Sequence, residues 1–331
     1  MAEHIRTELR TGAPDAELLE SLRRLAAASQ AADGAPPFSE QTLVELGKDR
    51  RDAGAAPLTI ACVWSGENLV GAAAVLHERT DDGGEQTLTE LTVDPQHRRR
   101  GVGAQLASDL AASVLTPGPR ASHRAWAHGG HPGGPTLAAA FRWGAVRELW
   151  RMRLDNDAPL PAVELDEGVT LRSFRPGTDE QAWLSANAEA FIDHPEQGQL
   201  TMEDLQARMA EDWFDPEGFF LAWSADDGDA ADPQLLGFHW TKMPAPEEPG
   251  AEQLGEVYAV GVLPSAQGRG LGASLTLAGI EYLRNQGADA VILYVDASNA
   301  SAAALYKKLG FRVWDIDIQY APLAETGAGQ A

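Results

Sequence analysis

Two short strings in this chain have the residue types and spacing of an anion-binding turn. The first runs Leu91-Thr92-Val93-Asp94-Pro95, then Arg98-Arg99-Arg100-Gly101-Val102-Gly103-Ala104. The second runs Val260-Gly261-Val262-Leu263-Pro264, then Gln267-Gly268-Arg269-Gly270-Leu271-Gly272-Ala273. Each reads Val-x-Pro, two residues, then Gln or Arg, x-x-Gly-x-Gly. A strand that enters a helix through glycines exposes the first amide N–H groups of that helix, and these donors, with the helix dipole, attract phosphate. Glycine suits the turn because a Cβ would block close approach or forbid a positive φ. Arg269 and the Arg98-Arg99-Arg100 cluster add local positive charge. There is no Gly-Lys-Ser/Thr, so a nucleotide-hydrolysing loop lacks its lysine and magnesium ligand, and the spacing is not the dinucleotide G-x-G-x-x-G.

The elements that must position these turns are legible around them. Glu256 to Val262 is β-branched and apolar and reads as a strand; Ala273 to Arg284 has helix formers and apolar residues near helical spacing. Val93 to Val262 and Gly101 to Gly270 are both separated by 169 positions, so one domain occurs twice. In the second half Val169 to Phe174, Gly218 to Trp223, Leu235 to Lys242, Ala290 to Val295 and Phe311 to Tyr320 read as strands. Thr178 to Ala190, Thr201 to Glu211 and Ser301 to Lys308 read as helices, Thr201 being an N-cap. The first half echoes this, with helices over Ala16 to Ala28 and Gln41 to Lys48. Its strands are Leu58 to Trp64, Leu69 to Leu76, Leu88 to Val93 and Leu149 to Leu154. Expected limits are 1–154 for the first domain, 155–167 for an acidic linker, 168–321 for the second domain and 322–331 for a frayed tail. The fold class is α/β with a mixed sheet, built twice.

Composition narrows the function. The 331 residues include 44% hydrophobic ones, enough for two packed cores. Formal charge is −23, from 26 basic and 49 acidic residues. Such a surface repels nucleic acid and anionic membranes, which excludes both as principal partners. Cys62 is the only cysteine, so no intrachain disulfide forms; it lies in a strand and reads as a buried structural thiol. No pair of histidines has the spacing of a zinc hydrolase. His123, His128 and His131 fall in a Gly/Pro-rich stretch and read as solvated, so no metal is expected. The N-terminus is polar and no run approaches the ~18 apolar residues of a spanning helix, giving the expectation of a cytoplasmic protein.

With the repeated Gln/Arg-x-x-Gly-x-Gly strings in view, the chain resembles the GNAT superfamily of acyl-CoA-dependent N-acetyltransferases. The resemblance implies two tandem GNAT domains, each with this loop between its fourth strand and third helix. The loop would hold the pyrophosphate of acetyl-CoA, and the thioester would enter a gap where the fourth and fifth strands splay apart. Acetyl transfer requires an ammonium to lose a proton and a thiolate to gain one. An α-amine near pKa 7.7–8.0 and a thiol near 8.5 make neither transfer steep, so general acid–base help of about 10²–10⁴-fold suffices. Direct attack by the amine needs no enzyme nucleophile. Glu256, six positions before Val262 on the strand entering the turn, is the candidate base. Asn299 followed by Ala304-Leu305-Tyr306-Lys307-Lys308-Leu309-Gly310-Phe311 resembles the GNAT segment whose tyrosine lies near the CoA sulfur, which makes Tyr306 the candidate acid. In the first half, subtracting 169 puts Thr87 at the place of Glu256, and aligning Gly144 with Gly310 puts Ala140 at the place of Tyr306. That half keeps the turn and lacks both proton-transfer groups, so it is expected to bind acetyl-CoA without turnover.

Longer strings narrow the acceptor. Leu236-Gly237-Phe238-His239-Trp240-Thr241-Lys242, Ala190-Phe191 with His194-Pro195-Glu196-Gln197-Gly198, Gly255 to Val262 and Leu293-Tyr294-Val295-Asp296 together resemble mycothiol synthases. Those are tandem GNAT enzymes that acetylate the cysteinyl α-amine of a cysteinyl-glucosaminyl-inositol. The resemblance implies acceptor contacts at Glu40, Glu196, Lys242, Glu256 and Tyr294. It implies acetyl-CoA contacts at Val260, Gly261 and Val262, at Gln267, Gly268, Arg269, Gly270, Leu271, Gly272 and Ala273, and at Asn299, Ala300, Ser301, Ala302, Ala303 and Ala304. In the first half they fall on Leu91, Thr92 and Val93 and on Arg99, Arg100, Gly101, Val102, Gly103 and Ala104. Two alternatives remain open: a GNAT enzyme for another amine (a protein N-terminus, a polyamine or an aminoglycoside), and a non-catalytic acetyl-CoA-binding protein. Because the tandem repeat already supplies the pairing of a GNAT homodimer, a monomer is expected.

Overall fold

The structure, a computed structural model, describes residues 5–47, 58–79, 84–115, 122–192, 195–224, 233–246 and 250–323. Of Glu78, Arg79, Pro195 and Glu196 it describes the backbone alone. The chain divides into two compact units, Met1–Leu149 with Asp315–Ala331, and Trp150–Trp314.

The first unit contains β1 (Ile5–Thr11), α1 (Ala16–Asp33), α2 (Glu40–Gly47), β2 (Leu58–Ser65), β3 (Asn68–Arg79) and β4 (Glu85–Val93). There follow α3 (Val102–Ser113), β5 (His123–Ala127), α4 (Gly133–Ala140), the start of β6 (Trp143–Asp155) and most of the chain's last strand, β12 (Arg312–Pro322). Its sheet order is β1-β2-β3-β4-β5-β12. The first four strands are antiparallel neighbours, β5 runs parallel to β4, and β12 is antiparallel to β5. Strand alternation sends Ile60, Cys62, Ala72, Ala74 and Leu76 toward Leu18, Leu22 and Leu25 of α1. It sends Ala61, Val63, Ala73 and Val75 toward Val102, Leu106 and Leu110 of α3. The apolar stripe of α1 is spaced by four and three residues, and Asp15 caps it by accepting from the Leu18 amide at 2.9 Å. Cys62 is free and buried, and burial pushes its thiol up to about 12.

The second unit contains the end of β6, then β7 (Val169–Ser173), α5 (Glu180–Ala190), α6 (Pro195–Gly198), α7 (Met202–Met209), β8 (Phe219–Ser224) and β9 (Leu235–Lys242). It continues with β10 (Leu254–Val262), α8 (Leu271–Asn285), β11 (Ala290–Asp296) and α9 (Ala300–Lys308). The order is β6-β11-β10-β9-β8-β7. One face packs Trp183 of α5 against Phe219, Phe238 and Trp240, with ring centroids 5.4–5.6 Å apart in edge-on geometry. The other face packs α8 against Val257, Val291, Leu293 and Val295. Thr201 caps α7 in a reciprocal arrangement with Asp204.

The unit limits differ from those expected from sequence at 154 and 321. β12 pairs with β5 through Ile318↔Ala127, Gln319↔Trp126 and Tyr320↔Ala125, so the end of the chain extends the first unit's sheet. Met152 and Leu154 of β6 instead enter the second unit's core. Residues 155–167, expected as a linker, are fastened to the second unit. Leu160 and Val163 pack on its core, Ser274 Oγ donates to the Glu164 carbonyl, and Arg269 Nε donates to Asp166 Oδ2 at 2.9 Å. His123 and His128 are not solvated either. His123 is buried on β5 and shares a 2.8 Å hydrogen bond with Thr87, and His128 is flanked by two carboxylates. The strand His123–Ala127 was hidden by the Gly/Pro residues that follow it.

Candidate active site

In the second unit, β10 and β11 run parallel in register from Leu254↔Ala290 to Val257↔Leu293, and β10 then continues to Val262 beyond that ladder. Beside this divergence β10 carries a bulge: its register with β9 shifts between Val257 and Ala259. Bulges re-aim backbone and side chains and concentrate beside active sites. After Val262 the chain turns through Pro264–Ala266 into α8, and Gln267 Nε2 donates back to the Val262 carbonyl at 3.1 Å, closing the turn. Gly268 and Gly270 hold φ of +78° and +79°, and a Cβ at either would project into open space. The N-cap of α8 is Gly270, which makes no side-chain cap hydrogen bond, so the first-turn amides lack that partner, and Arg269, paired with Asp166, lies in the same turn. This set of donors fits a pyrophosphate.

The first unit repeats the construction. β4 and β5 are in register from Thr87↔His123 to Glu90↔Trp126, and β4 continues to Val93. Arg98 Nε donates to the Val93 carbonyl at 3.0 Å, the counterpart of the Gln267 brace. Gly101 has φ of +88° and α3 also lacks a side-chain cap. The first position of the motif is therefore Gln or Arg because its side chain must donate an N–H to the strand that precedes it. Where the second unit has Gly268, the first has Arg99 at φ 62°, a conformation costly for a residue with a Cβ.

Of the expected acceptor residues, three share one region. Glu256 on β10 lies directly opposite Lys242 on β9 and opposite Ile292 on β11; Tyr294 follows Ile292 by two and so projects from the same face. Lys242 Nζ stands 4.9 Å from the Trp213 ring centroid and 5.4 Å from that of Tyr258, whose hydroxyl accepts from Arg208 Nε at 3.0 Å. A cation on this aromatic face is held without losing its ability to donate. Tyr294 is exposed. Glu40 begins α2 in the first unit and is exposed. Glu196 lies on α6, and its side chain is outside those described. Asn299 caps α9 by accepting from the Ala302 amide at 3.1 Å, which places Ala300 to Ala304 in its first turns.

Tyr306 is buried among Leu309, Phe311 and Val295, and that burial pushes its phenol up to about 12. The proton therefore stays on the oxygen at neutral pH. The residues around it have a structural task as well. Gly310 takes φ of +98°, the Phe311 amide donates to the Tyr306 carbonyl at 3.0 Å and the Gly310 amide to Lys307 at 3.1 Å, while the Tyr306 and Phe311 rings pack at 5.8 Å. This is a Schellman helix end with its apolar contact, so the Tyr-x-x-x-Gly-Phe string ends a helix whatever else it does.

Two counterparts in the first unit move once the structure is seen. The bulge adds one residue to β10, so Glu256 corresponds to Leu88 rather than Thr87. Leu88 pairs with Leu76 as Glu256 pairs with Lys242. At the end of α4 the left-handed residue is Arg142, with φ of 60° and its amide donating to Ala139. That makes Ala138, not Ala140, the counterpart of Tyr306. The conclusion is unchanged, since neither position carries a group that exchanges protons. Sequence reading missed that Glu90, His128 and Asp317 meet in the first unit, where His128 and Asp317 are 189 residues apart in sequence.

Two divergent parallel strands, an uncapped glycine turn and a carboxylate on the strand that enters that turn define an acyl-CoA-binding transferase fold. The acetyltransferase (GNAT) family model matches residues 20–127 and 182–311. Mycothiol acetyltransferase of Paenarthrobacter aurescens (strain TC1) is 49% identical over 322 residues, covering 95% of each chain. That of Thermobispora bispora is 45% identical, covering 96% of this chain and 99% of its own. Among solved structures, a GCN5-related N-acetyltransferase from Sphaerobacter thermophilus superposes with TM-score 0.65 at 26% identity, covering 94% of both chains. A tandem GNAT protein from the clavulanic acid biosynthesis pathway superposes with TM-score 0.65 at 21% identity, covering 95% of this chain and 98% of its own. The chain belongs to the GNAT acetyltransferase family and, within it, to the mycothiol acetyltransferases. It is an acyltransferase with two GNAT domains, of a family that uses acetyl-CoA. Among the described residues no helix is long and apolar enough to cross a membrane.

Proposed function

We propose that this chain transfers acetyl from acetyl-CoA to the cysteinyl α-amine of cysteinyl-glucosaminyl-inositol, giving mycothiol and CoA. The observation that carries this is the 49% identity to a mycothiol acetyltransferase along nearly the whole of both chains. The paired Lys242 and Glu256 beside the strand divergence are the groups such an acceptor requires. Acetyl-CoA supplies an activated acyl group on sulfur. Val260 to Val262, the turn Gln267 to Ala273 and the start of α9 from Asn299 to Ala304 would hold it. Glu256 would take the proton from the ammonium, directly or through water. Tyr306, kept protonated by its surroundings, would return a proton to the departing thiolate. Lys242, Tyr294 and Glu196 would hydrogen-bond the hydroxyls and amine of the acceptor; charged partners suit a polyol because charge-assisted hydrogen bonds are the stronger ones. The first unit, with Leu88 and Ala138 at the two chemical positions, would bind acetyl-CoA through Leu91 to Val93 and Arg99 to Ala104 without turning it over. The acting species would be a cytoplasmic monomer.

The test is CoA release by purified protein, with the CoA thiol resolved by chromatography because the acceptor carries a thiol of its own. Cysteinyl-glucosaminyl-inositol is compared with spermidine, an aminoglycoside and a peptide. Strong preference for the cysteinyl glycoside supports the proposal. Preference for another amine discards the acceptor, and acetyl-CoA binding with no turnover of any amine discards the catalytic reading. Tyr306→Phe should bind acetyl-CoA normally and lose activity; full activity would remove the acid role.

A further inference from the structure

The candidate base has a charged neighbour in the second unit. Lys242 on β9 lies directly opposite Glu256 on β10, and residues so paired have Cβ atoms about 4.5–5.5 Å apart. Any amine that gives its proton to Glu256 must therefore come alongside Lys242. A lysine side chain is a charge on a long flexible stem, and fixing it costs rotamer entropy. Here it is held by aromatic rings from β10 and from the connection after α7.

The first ring is that of Tyr258, the residue that the bulge inserts: β10 pairs with β9 at Val257 and again at Ala259, and Tyr258 stands between them. The second is that of Trp213, in the connection from α7 to β8. Their centroids are 5.1 Å apart, and the two rings pack on Trp240 at 5.3 and 5.8 Å. Trp240 is fully buried and stacks on Phe219 at 4.5 Å, so the pair is founded on the core beneath α5. The Lys242 ammonium lies 4.9 Å from the Trp213 centroid and 5.4 Å from that of Tyr258, both inside the ~6 Å reach of a cation–π contact. Arg208 on α7 fixes the far end of Tyr258. Its Nε donates to the Tyr258 hydroxyl and its Nη1 to the Asp204 carbonyl, each at 3.0 Å. A ring face attracts an ammonium by its charge and needs no particular N–H, so donors remain for an oxygen. In the first unit Leu88 pairs with Leu76 and β4 pairs with β3 without a register shift, so no residue stands at the place of Tyr258.

We propose that Trp213, Tyr258 and Arg208 are positioning residues for the acceptor: the two rings, with Tyr258 pinned by Arg208, set the Lys242 ammonium beside Glu256, where it donates to an acceptor oxygen as the amine reaches the base. This rests on the reading of Glu256 and Lys242 in the preceding section. The three residues touch no reacting atom; they act through Lys242. The bulge has a purpose in this, because a regular strand pairs residue for residue and leaves no side chain at the place of Tyr258.

The experiment uses Trp213→Leu in the full chain, and Tyr258→Leu carries the same expectations should the first variant not fold. The chain has four lysines, Lys48, Lys242, Lys307 and Lys308, so Lys242 can be followed by NMR of lysine-labelled protein and assigned by its loss in Lys242→Met. Ring currents should hold its ε-methylene resonance upfield of the unfolded position in wild type, and either ring deletion should move it back. Each variant is assayed with both substrates varied. We expect the KM for the cysteinyl glycoside to rise about tenfold, less than the ~10²-fold that a ~1 Å misplacement can cost. The KM for acetyl-CoA and kcat should stay within about twofold, the pattern of lost ground-state binding. Trp213→Phe, which keeps a ring, should bring the acceptor KM back to within about threefold of wild type, and Arg208→Met should raise it about threefold. Combined with Lys242→Met, Trp213→Leu should add nothing to Lys242→Met alone, as for residues acting through one another. If Lys242→Met raises the acceptor KM and the ring deletions leave it within about twofold of wild type, the positioning is overturned. A Lys242 resonance that stays in place overturns it too, as do kcat and both KM values shifting together. Lys242→Met without effect on the acceptor KM removes the Lys242 contact of the preceding section and the proposal with it. Preference of the wild-type chain for another amine counts instead against the cysteinyl glycoside alone; the same measurements with that amine then decide the positioning.

Discussion

Where the second unit sets Glu256 opposite Lys242 on neighbouring strands, the first sets Leu88 opposite Leu76. Both units keep the strand that outruns its parallel partner, the brace from the first motif residue to the strand end, and the uncapped helix. What differs is the face of the sheet beside the divergence. In the second unit it carries a carboxylate, a lysine and a bulge. In the first it is closed by two leucines of the α1 core, with no register shift between β3 and β4. The first unit still has a buried carboxylate on this strand, Glu90, but its two oxygens are committed to His128 and the Ser39 amide. The turn geometry and the carboxylate–lysine pair are thus separable features of one fold, and only the first occurs in both units.

The strongest way to break this comparison is Glu256→Gln. If Glu256 is the base, kcat/KM should fall by about 10²-fold or more. The loss should be greatest below the pKa of the acceptor amine, where a proton must be removed, and Leu88→Gln should leave the pH–rate profile unchanged. A pH-independent loss at Glu256 would show that the carboxylate only orients the amine.

The two units also bury histidines of opposite character. His239 in the second unit is wholly buried, and that burial holds its imidazole down at about 4, against the bond it makes to the Leu275 carbonyl at 2.7 Å. His128 loses solvation too, but its hydrogen bonds to Asp317 and Glu90 and their negative charge outweigh that, raising it to about 10. An unfolded histidine titrates near 6.5, and each unit of difference corresponds to about 1.4 kcal/mol. For His239 the unfolded chain binds the extra proton, so stability is full above about 6.5 and falls as pH drops toward about 4. For His128 the folded chain binds it, so the contribution is full below about 6.5 and is lost as pH rises toward about 10. Denaturation of wild type, His128→Gln and His239→Gln across this range should show the advantage over His128→Gln shrinking in base and that over His239→Gln shrinking in acid. Parallel curves would refute the assignments.

The cradles themselves can be compared next. Gly270→Ala forces a left-handed alanine at about 1–2 kcal/mol, and it should raise the KM for acetyl-CoA about tenfold by crowding the α8 amides. Gly101→Ala carries the same backbone cost and should leave steady-state kinetics unchanged. Equal kinetic effects would mean that both cradles feed one reaction. The smallest effect is expected for Arg99→Gly. It removes a left-handed non-glycine residue and should raise stability by up to about 1 kcal/mol, net of the greater freedom of glycine in the unfolded chain; a fall in the denaturation midpoint would mean that the Arg99 side chain contributes more than its backbone costs.

By itself the sequence determined the repeat, the two cradles, most helices and strands and the position of Glu256 on the strand entering the turn. These are local patterns: hydrophobic periodicity, glycine at left-handed positions and a cap such as Thr201 are written within a few residues of where they act. It could not determine which sheet receives a strand. Only tertiary structure assigned β12 to the first unit and the end of β6 to the second, because strand pairing joins residues far apart whose local pattern is the same in either sheet. The bulge at Tyr258 likewise appears only against β9, and it moves the counterpart of Glu256 from Thr87 to Leu88. His128 looked like a solvated loop residue because its partners, Glu90 and Asp317, are distant in sequence. Burial and charge pairing, which set the state of a titratable group, belong to neighbours in space rather than to neighbours along the chain.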